Sequence, residues 1–233
     1  MPREFNRNMF VMLLTIMIGV IIITFFIGDI IRRSDIDTLK TEHKVEIKEI
    51  ASKNKNFTSN FIISNVILDK AKEGQYSGNY NFNLAYVWYN SALAEKNITN
   101  FNTYKIRTID NCTKAMTHYI NSHNNFNLSK NHFNDTKALT DFIEYQEIID
   151  IYIDLSESGY KLTDYRYNAS YYLISLTENL IVDTQNGTII YGENVTEILQ
   201  LFNDSLSLIE EEGENFAELQ EGIDEYDLFK TLR

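Results

Sequence analysis

Residues 9–31 form an uninterrupted apolar stretch with a single charge, Asp29, near its end. At about 1.5 Å per residue, a helix of this length reaches roughly 35 Å, which exceeds the ~30 Å hydrocarbon core of a bilayer. Because backbone amides in lipid must hydrogen-bond within their own segment, a helix is the form expected there. The stretch therefore predicts a transmembrane helix, and this helix constrains the placement of the whole chain.

Two other interpretations of this stretch fit less well. A cleaved signal peptide has a shorter apolar region that ends in a small-residue cleavage site, whereas this run leads directly to Arg32 and Arg33. A helix buried in a globular core usually shows a polar stripe, which is missing here. We therefore expect a retained signal-anchor helix that follows a short tail at 1–8 and binds membrane lipid through residues 9–31.

The composition after the anchor predicts a helical domain. The chain of 233 residues contains one proline, Pro2, and nine glycines, so little interrupts helices. Apolar residues recur at steps of three and four along several segments. We expect an all-α fold: the transmembrane helix, a membrane-proximal long helix at 32–73, and a helical extracytoplasmic domain at 74–233. Its helices, roughly five or six in all, are expected to pack as a bundle or as stacked hairpins.

Several interruptions are predicted between these helices. The Gly- and Asn-rich segments 74–80 and 123–135 are interpreted as a break and a polar loop, and another break is expected near Gly159. Residues 183–192 indicate a turn with an Asn-Gly step and a short extended piece. The last helix is expected to begin near Asn194. Its apolar stripe comprises Phe202, Ile209, Phe216, Leu219, Ile223 and Tyr226.

A helical hairpin is predicted between residues 81 and 121, with its second helix at 103–121. The apolar stripe expected on that second helix comprises Ile106, Ile109, Thr113, Met116 and Ile120. A separate pattern resembles in its spacing four consensus positions of a tetratricopeptide repeat, and it consists of Tyr76, Ala85, Tyr89 and Ala92. Because no second copy follows about 34 residues later, an ordinary hairpin is preferred.

Charge is distributed unevenly along the chain, whose formal net charge is −12. Residues 34–139 carry 13 Lys and Arg against 10 Asp and Glu, whereas residues 140–233 carry 4 against 21. The acidic second half should repel nucleic acids and anionic lipid headgroups. We therefore expect no nucleic-acid partner, while a basic protein surface or divalent cations fit this charge.

The N-glycosylation pattern Asn-x-Ser/Thr occurs nine times after the anchor, against about four expected from random placement. Because Arg residues flank the anchor on both sides, their charges do not decide its orientation. The excess of acceptor sites favours an extracytoplasmic domain. The candidate glycosylation sites are Asn56, Asn97, Asn111, Asn127, Asn134, Asn168, Asn186, Asn194 and Asn203.

Cys112 is the only cysteine, so no intrachain disulfide can form. Exported eukaryotic domains often carry disulfides. Many acceptor sites without paired cysteines fit an archaeal-type cell surface, which we hold as a hypothesis.

Motifs for catalysis or metal binding are missing from the sequence. None of the four histidines, His43, His118, His123 and His132, stands four residues from another. Nucleophile elbows and phosphate-binding glycine loops are also missing. We therefore expect no catalytic residue, metal or cofactor.

The sequence predicts a structural or protein-interaction module at the cell surface, with a protein partner. The alternative is a ligand-sensing helical ectodomain that signals through a partner.

Overall fold

The computed structural model describes the backbone of residues 7–183, 188–192 and 195–225, and the side chains of residues 38–183, 188–192 and 195–224. Two compact units divide the chain: unit 1 is Met1–Lys53 and unit 2 is Asn54–Arg233. The elements in these ranges are α1 (Arg7–Ala94), α2 (Ile98–Lys137), α3 (Ile143–Glu178), β1 (Leu180–Asp183), β2 (Thr188–Tyr191) and α4 (Val195–Glu225). The predicted helical bundle is confirmed, with four helices in the described ranges rather than five or six.

The predicted anchor at 9–31 belongs to the part of α1 whose side chains lie outside the described residues, and most of the tail at 1–8 lies outside them altogether. Among the residues that the structure describes, no helix has enough apolar length to span a bilayer. The described side chains of unit 1 are those of residues 38–53, and every one of these residues is exposed.

In unit 2, α1 and α2 pack against each other in opposite directions. The Ser122 hydroxyl donates to the carbonyl oxygen of Ala71 at 2.5 Å, and the Ser129 hydroxyl donates to that of Ser64 at 3.1 Å. As the sequence position of the donor on α2 increases, the position of its acceptor on α1 decreases. The two helices are therefore antiparallel and close enough for side chains of one to reach the backbone of the other.

The α2–α3 pair is antiparallel in the same way. Lys130 Nζ lies 3.1 Å from a carboxylate oxygen of Glu157, and Lys105 Nζ donates to the carbonyl oxygen of Glu178 at 3.2 Å. The residue number of the partner on α3 falls as the number of the lysine on α2 rises, so the two helices run in opposite directions.

Helix α4 closes the bundle by contacting both α3 and α1. On the α3 side, Asn215 Nδ2 lies 3.4 Å from Ser158 Oγ. On the α1 side, the rings of Tyr86 and Phe202 stack with centroids 6.4 Å apart, and Lys72 donates to Gln220. Unit 2 is thus an up-down-up-down four-helix bundle.

Small residues repeat every seven positions along the buried faces of three helices. This spacing keeps one stripe of a helix facing its neighbour over its whole length. Every member is buried. The repeats are Ser64, Ala71, Gly78, Ala85 and Ala92 on α1; Thr108, Ala115, Ser122, Ser129 and Thr136 on α2; and Ser156, Thr163, Ser170 and Thr177 on α3.

The three breaks predicted inside these helices are wrong. Residues 74–80 lie within α1, residues 123–135 within α2, and Gly159 within α3. The glycines serve as contact points instead. Gly78 lies against the ring of Tyr119, and Gly159 against the ring of Phe126. Because residues 74–80 are continuous helix, the hairpin turn required by the repeat-like spacing is not formed there either.

The apolar stripe predicted for α2 is also wrong. Ile106 and Ile120 are 60% and 48% exposed. The buried positions precede most of the predicted ones by a single residue, and they include Thr108, Cys112, Ala115 and Tyr119. One residue rotates a helical face by about 100°. The buried face of α2 is therefore formed by small residues together with aromatic ones such as Phe126 and Phe133, and the isoleucines lie outside it.

Other local predictions are confirmed. The extended piece expected near 183–192 belongs to an antiparallel pair of strands, in which Ile181 pairs with Ile190, while the predicted Asn-Gly turn at 186–187 lies outside the described residues. Helix α4 begins at Val195. Of its predicted stripe, Phe202 and Ile223 are buried, and Ile209, Phe216 and Leu219 are half-buried; Tyr226 lies outside the described residues.

We expect Gly159→Ala to destabilise unit 2 by about 1–3 kcal/mol, because the added Cβ would overlap with the Phe126 ring. The matched control is Gly213→Ala on α4, where no atom lies near the added Cβ. That change should stabilise the helix by about 0.5–1 kcal/mol. Urea unfolding followed by circular dichroism measures both, and an equal response of the two variants would contradict the packing role of Gly159.

Candidate functional site

Seven of the nine candidate glycosylation sites fall among the residues whose side chains are described, and none of the seven is buried. Asn111 and Asn168 are half-buried, and the other five are exposed. The exposed sites are Asn56, Asn97, Asn127, Asn134 and Asn203. Asn186 and Asn194 lie outside the described residues. The seven described sites are distributed over the outer surfaces of all four helices.

The geometry at Asn97 is compatible with a sugar on the amide nitrogen. Asn97 is the N-cap of α2, and its Oδ1 accepts hydrogen bonds from the backbone amides of Thr99 and Asn100 at 2.9 and 3.3 Å. An N-linked glycan attaches to Nδ2, so it would leave this cap intact. Asn127 and Asn134 were expected in a loop, but both lie on the exposed side of α2.

Chemically reactive side chains are not gathered into one place. The His43 ring lies 3.5 Å from Glu46 in unit 1, whereas the His123 ring packs on Tyr160 in unit 2. Within the described ranges, no group of three or more His, Cys, Asp or Glu side chains could hold a metal ion. Cys112 is fully buried, and burial raises the pKa of its thiol to about 12. It is therefore a packing residue of low reactivity at neutral pH.

A polar layer interrupts the core of unit 2. One apolar cluster includes Leu68, Phe126 and Leu155, and a second includes Ala85 and Ala169. Among the residues between these positions that belong to neither cluster are three polar ones: Gln75 on α1, Tyr119 on α2 and Arg166 on α3. We call these three residues the central polar layer.

The members of the central polar layer are incompletely paired. The Tyr119 hydroxyl donates to Asn79 Oδ1 at 3.0 Å. Burial lowers the pKa of the Arg166 guanidinium, and Tyr119 is the group whose charge opposes this shift. Of the buried side-chain nitrogen and oxygen atoms in the described ranges, only Gln75 Nε2 lacks a hydrogen-bond partner. A buried amide without a partner costs free energy, so this layer weakens the bundle locally.

A cleft of about 260 Å³ opens beside this layer, between α2 and α3. Tyr119 belongs to both the layer and the cleft. The lining residues are Tyr119, Ile120, His123, Thr163, Asp164 and Tyr167. Aromatic faces combined with one carboxylate suit a small organic cation, since the rings attract its charge and the carboxylate pairs with it.

Helix α4 gives one side of the bundle a uniform charge. It contains ten Asp and Glu residues and no Lys or Arg. The residues of the predicted cluster, Glu210, Glu211, Glu212 and Glu214, are exposed or half-buried and form no ion pair with any described residue. Ten of the 21 acidic residues of the second half thus lie on this one helix.

Comparison of the chain with protein-family models, with curated proteins and with solved structures finds no match. The functional interpretation therefore depends on the residues of this chain.

Neither the cleft nor the central polar layer was predicted from the sequence. A signal for the layer does exist, because Gln75 and Arg166 each stand seven residues from buried apolar positions, Leu68 and Leu173. A polar residue in such a series marks an interruption of the core. The cleft has no comparable signal, since its residues are brought together by the register of two helices.

We expect Gln75→Leu to stabilise unit 2 by about 1–3 kcal/mol, because it removes a buried amide nitrogen that has no partner. The matched control is Gln146→Leu, where Nε2 donates to the carbonyl oxygen of Thr140 at 2.8 Å. That change should give no gain. Thermal unfolding of the two variants measures the difference, and a loss of stability in Gln75→Leu would show that the amide is needed.

Proposed function

We propose that the chain is a membrane-anchored, N-glycosylated, extracytoplasmic protein that acts as a structural or protein-interaction module at an archaeal-type cell surface, without catalysis. Its single-pass anchor is the apolar stretch at 9–31. The helical bundle of unit 2 is the part that we expect to meet a protein partner, and its acidic surface should repel nucleic acid.

The observation that carries this proposal is the exposure of the candidate glycosylation sites. A buried acceptor asparagine would contradict modification of the folded protein, and none of the seven described sites is buried. The sites are also spread over the four helices, so attached sugars would cover much of the bundle. A heavily hydrated, sugar-bearing surface is typical of secreted and surface proteins.

We expect the protein purified from its native membranes to lose mass on chemical or enzymatic deglycosylation. Asn127→Gln should remove the mass of one glycan, because Asn127 is an exposed acceptor on α2. Asn124→Gln is the matched control, since Asn124 is exposed on the same helix but is not followed by the acceptor pattern. Intact-mass spectrometry distinguishes the variants. A native protein whose mass equals that of its amino acids would remove the main support for the proposal.

The location can be tested separately by protease treatment of intact cells. An extracytoplasmic unit 2 should be digested from outside, whereas a control cytoplasmic protein stays intact. Protection of unit 2 in intact cells, together with its digestion after lysis, would place it on the other side of the membrane.

A second candidate function is ligand sensing, and the cleft between α2 and α3 is the observation that favours it. The occupant that fits the lining is a small organic cation, held by Asp164 and the ring of Tyr167. A bound ligand would have to act through a partner protein.

We expect a small ammonium compound such as choline to raise the melting temperature of unit 2 in proportion to the logarithm of its concentration, if the cleft is a ligand site. Asp164→Asn should abolish the shift because it removes the pairing carboxylate. Asp204→Asn, an equally exposed carboxylate on α4, is the control and should keep it. Equal shifts in the two variants would exclude specific binding at the cleft.

A further inference from the structure

The described helix of unit 1 exposes an apolar strip that no described residue covers. Leu39, Ile47 and Ile50 are 56%, 65% and 52% exposed. At about 100° per residue they fall on one side of the helix, together with His43. The strip belongs to helix α1, which continues without a break into unit 2, so the helix itself does not depend on a partner. A second apolar surface packed on the strip would remove its side chains from water and so stabilise the contact.

The charged residues of this helix are sorted to the two sides of the strip. One flank, which we call the lysine flank, consists of Lys40, Lys44 and Lys48. The opposite flank, the glutamate flank, consists of Glu42, Glu46 and Glu49. Two ionic contacts join residues of this helix to each other: the His43 ring lies 3.5 Å from Glu46, and Lys53 Nζ lies 4.0 Å from Glu49. None of the three lysines pairs with another described residue.

This sorting of charge selects both the partner and its direction. When two identical helices lie side by side and run in the same direction, a two-fold axis along them places the lysine flank of each beside the glutamate flank of the other. When they run in opposite directions, lysine meets lysine and glutamate meets glutamate. Charges beside the apolar seam set partner choice and orientation in paired helices.

We propose that residues 38–53 pair with the same residues of a second copy of this chain as a short parallel coiled coil. The strip of each helix packs on the strip of the other, and His43 is the polar residue within the seam. This inference adds a contact made by unit 1 to the contact of unit 2 proposed above, and it rests on the proposed function for its direction of pairing. Two copies anchored in one membrane emerge in the same direction, and anchoring raises the effective concentration of a contact this short.

The single native cysteine should not interfere with a disulfide cross-linking test. The native Cys112 is fully buried with a raised thiol pKa, so the parent protein should form no linked dimer under mild oxidation. In a parallel pair each strip position faces its own copy, within the roughly 7 Å between Cα atoms that a disulfide tolerates. Leu39→Cys and Ile50→Cys test the strip. Val45→Cys is the matched control, because Val45 is 60% exposed but lies on the other side of the helix.

The full-length variants are oxidised in native membranes, and linked dimers are followed with time on non-reducing gels. We expect Leu39→Cys and Ile50→Cys each to cross-link on the order of ten times faster than Val45→Cys, as only the former hold two sulfurs in bonding range. Equal rates for all three would reflect random collision and would overturn the pairing. A link that forms only between a Leu39→Cys copy and an Ile50→Cys copy would overturn the parallel direction.

Charge reversal tests the flanks independently. In an Ile50→Cys background, changing the lysine flank to glutamate makes both flanks acidic, and changing the glutamate flank to lysine makes both basic. Each variant alone should lose the fast cross-link, whereas a mixture of the two, co-expressed, should regain it as a mixed dimer. Failure of the mixture to regain it would refute the charge argument. All these positions are exposed, so unit 2 should fold normally, which circular dichroism checks.

These outcomes separate this inference from the proposed function. A protein that carries glycans and is digested from outside intact cells supports the proposed function. If its strip cysteines cross-link no faster than the control cysteine, the pairing of two copies is contradicted.

Discussion

The close approach of helix backbones at small residues is the constraint on which unit 2 depends. Ser122 and Ser129 can reach carbonyl oxygens on the neighbouring α1 only because the facing positions are serine, alanine and glycine. Larger side chains would hold the helices apart and leave these hydroxyls buried without partners. Most of the other buried hydroxyls bond back to the carbonyl four residues earlier, as Thr108, Ser156 and Thr177 do. The hydrogen bonds between the helices of this core therefore depend on the same small residues as its packing.

This constraint explains which parts of the fold can be predicted from the sequence. The stripe of α4 is built from large apolar residues such as Phe202 and Ile223, and hydrophobic periodicity identifies it. The buried faces of α1 and α2 combine small residues with large ones such as Leu68 and Phe126, so the same criterion does not separate them from the exposed Ile106 and Ile120. Glycines are misinterpreted for a related reason, since their flexibility suggests a break when their small size is what the packing uses.

The candidate sites divide along similar lines. An acceptor pattern can be found from three residues in sequence, and the structure adds only that the described acceptors are accessible. The cleft and the central polar layer depend on which residues of different helices reach the same level. That level is set by the register between α2 and α3, recorded in contacts such as Lys130 with Glu157. No local pattern carries this information, so such sites require the assembled bundle.

The absence of basic residues from α4 has a consequence for the environment in which the bundle is stable. Neighbouring carboxylates along this helix repel one another, and no described cation on it offsets them. Dissolved ions shorten the range of that repulsion, from about 30 Å in dilute buffer to about 3 Å in molar salt. The fourth helix should therefore be the first to loosen when the protein is transferred to fresh water, and brine should tighten it.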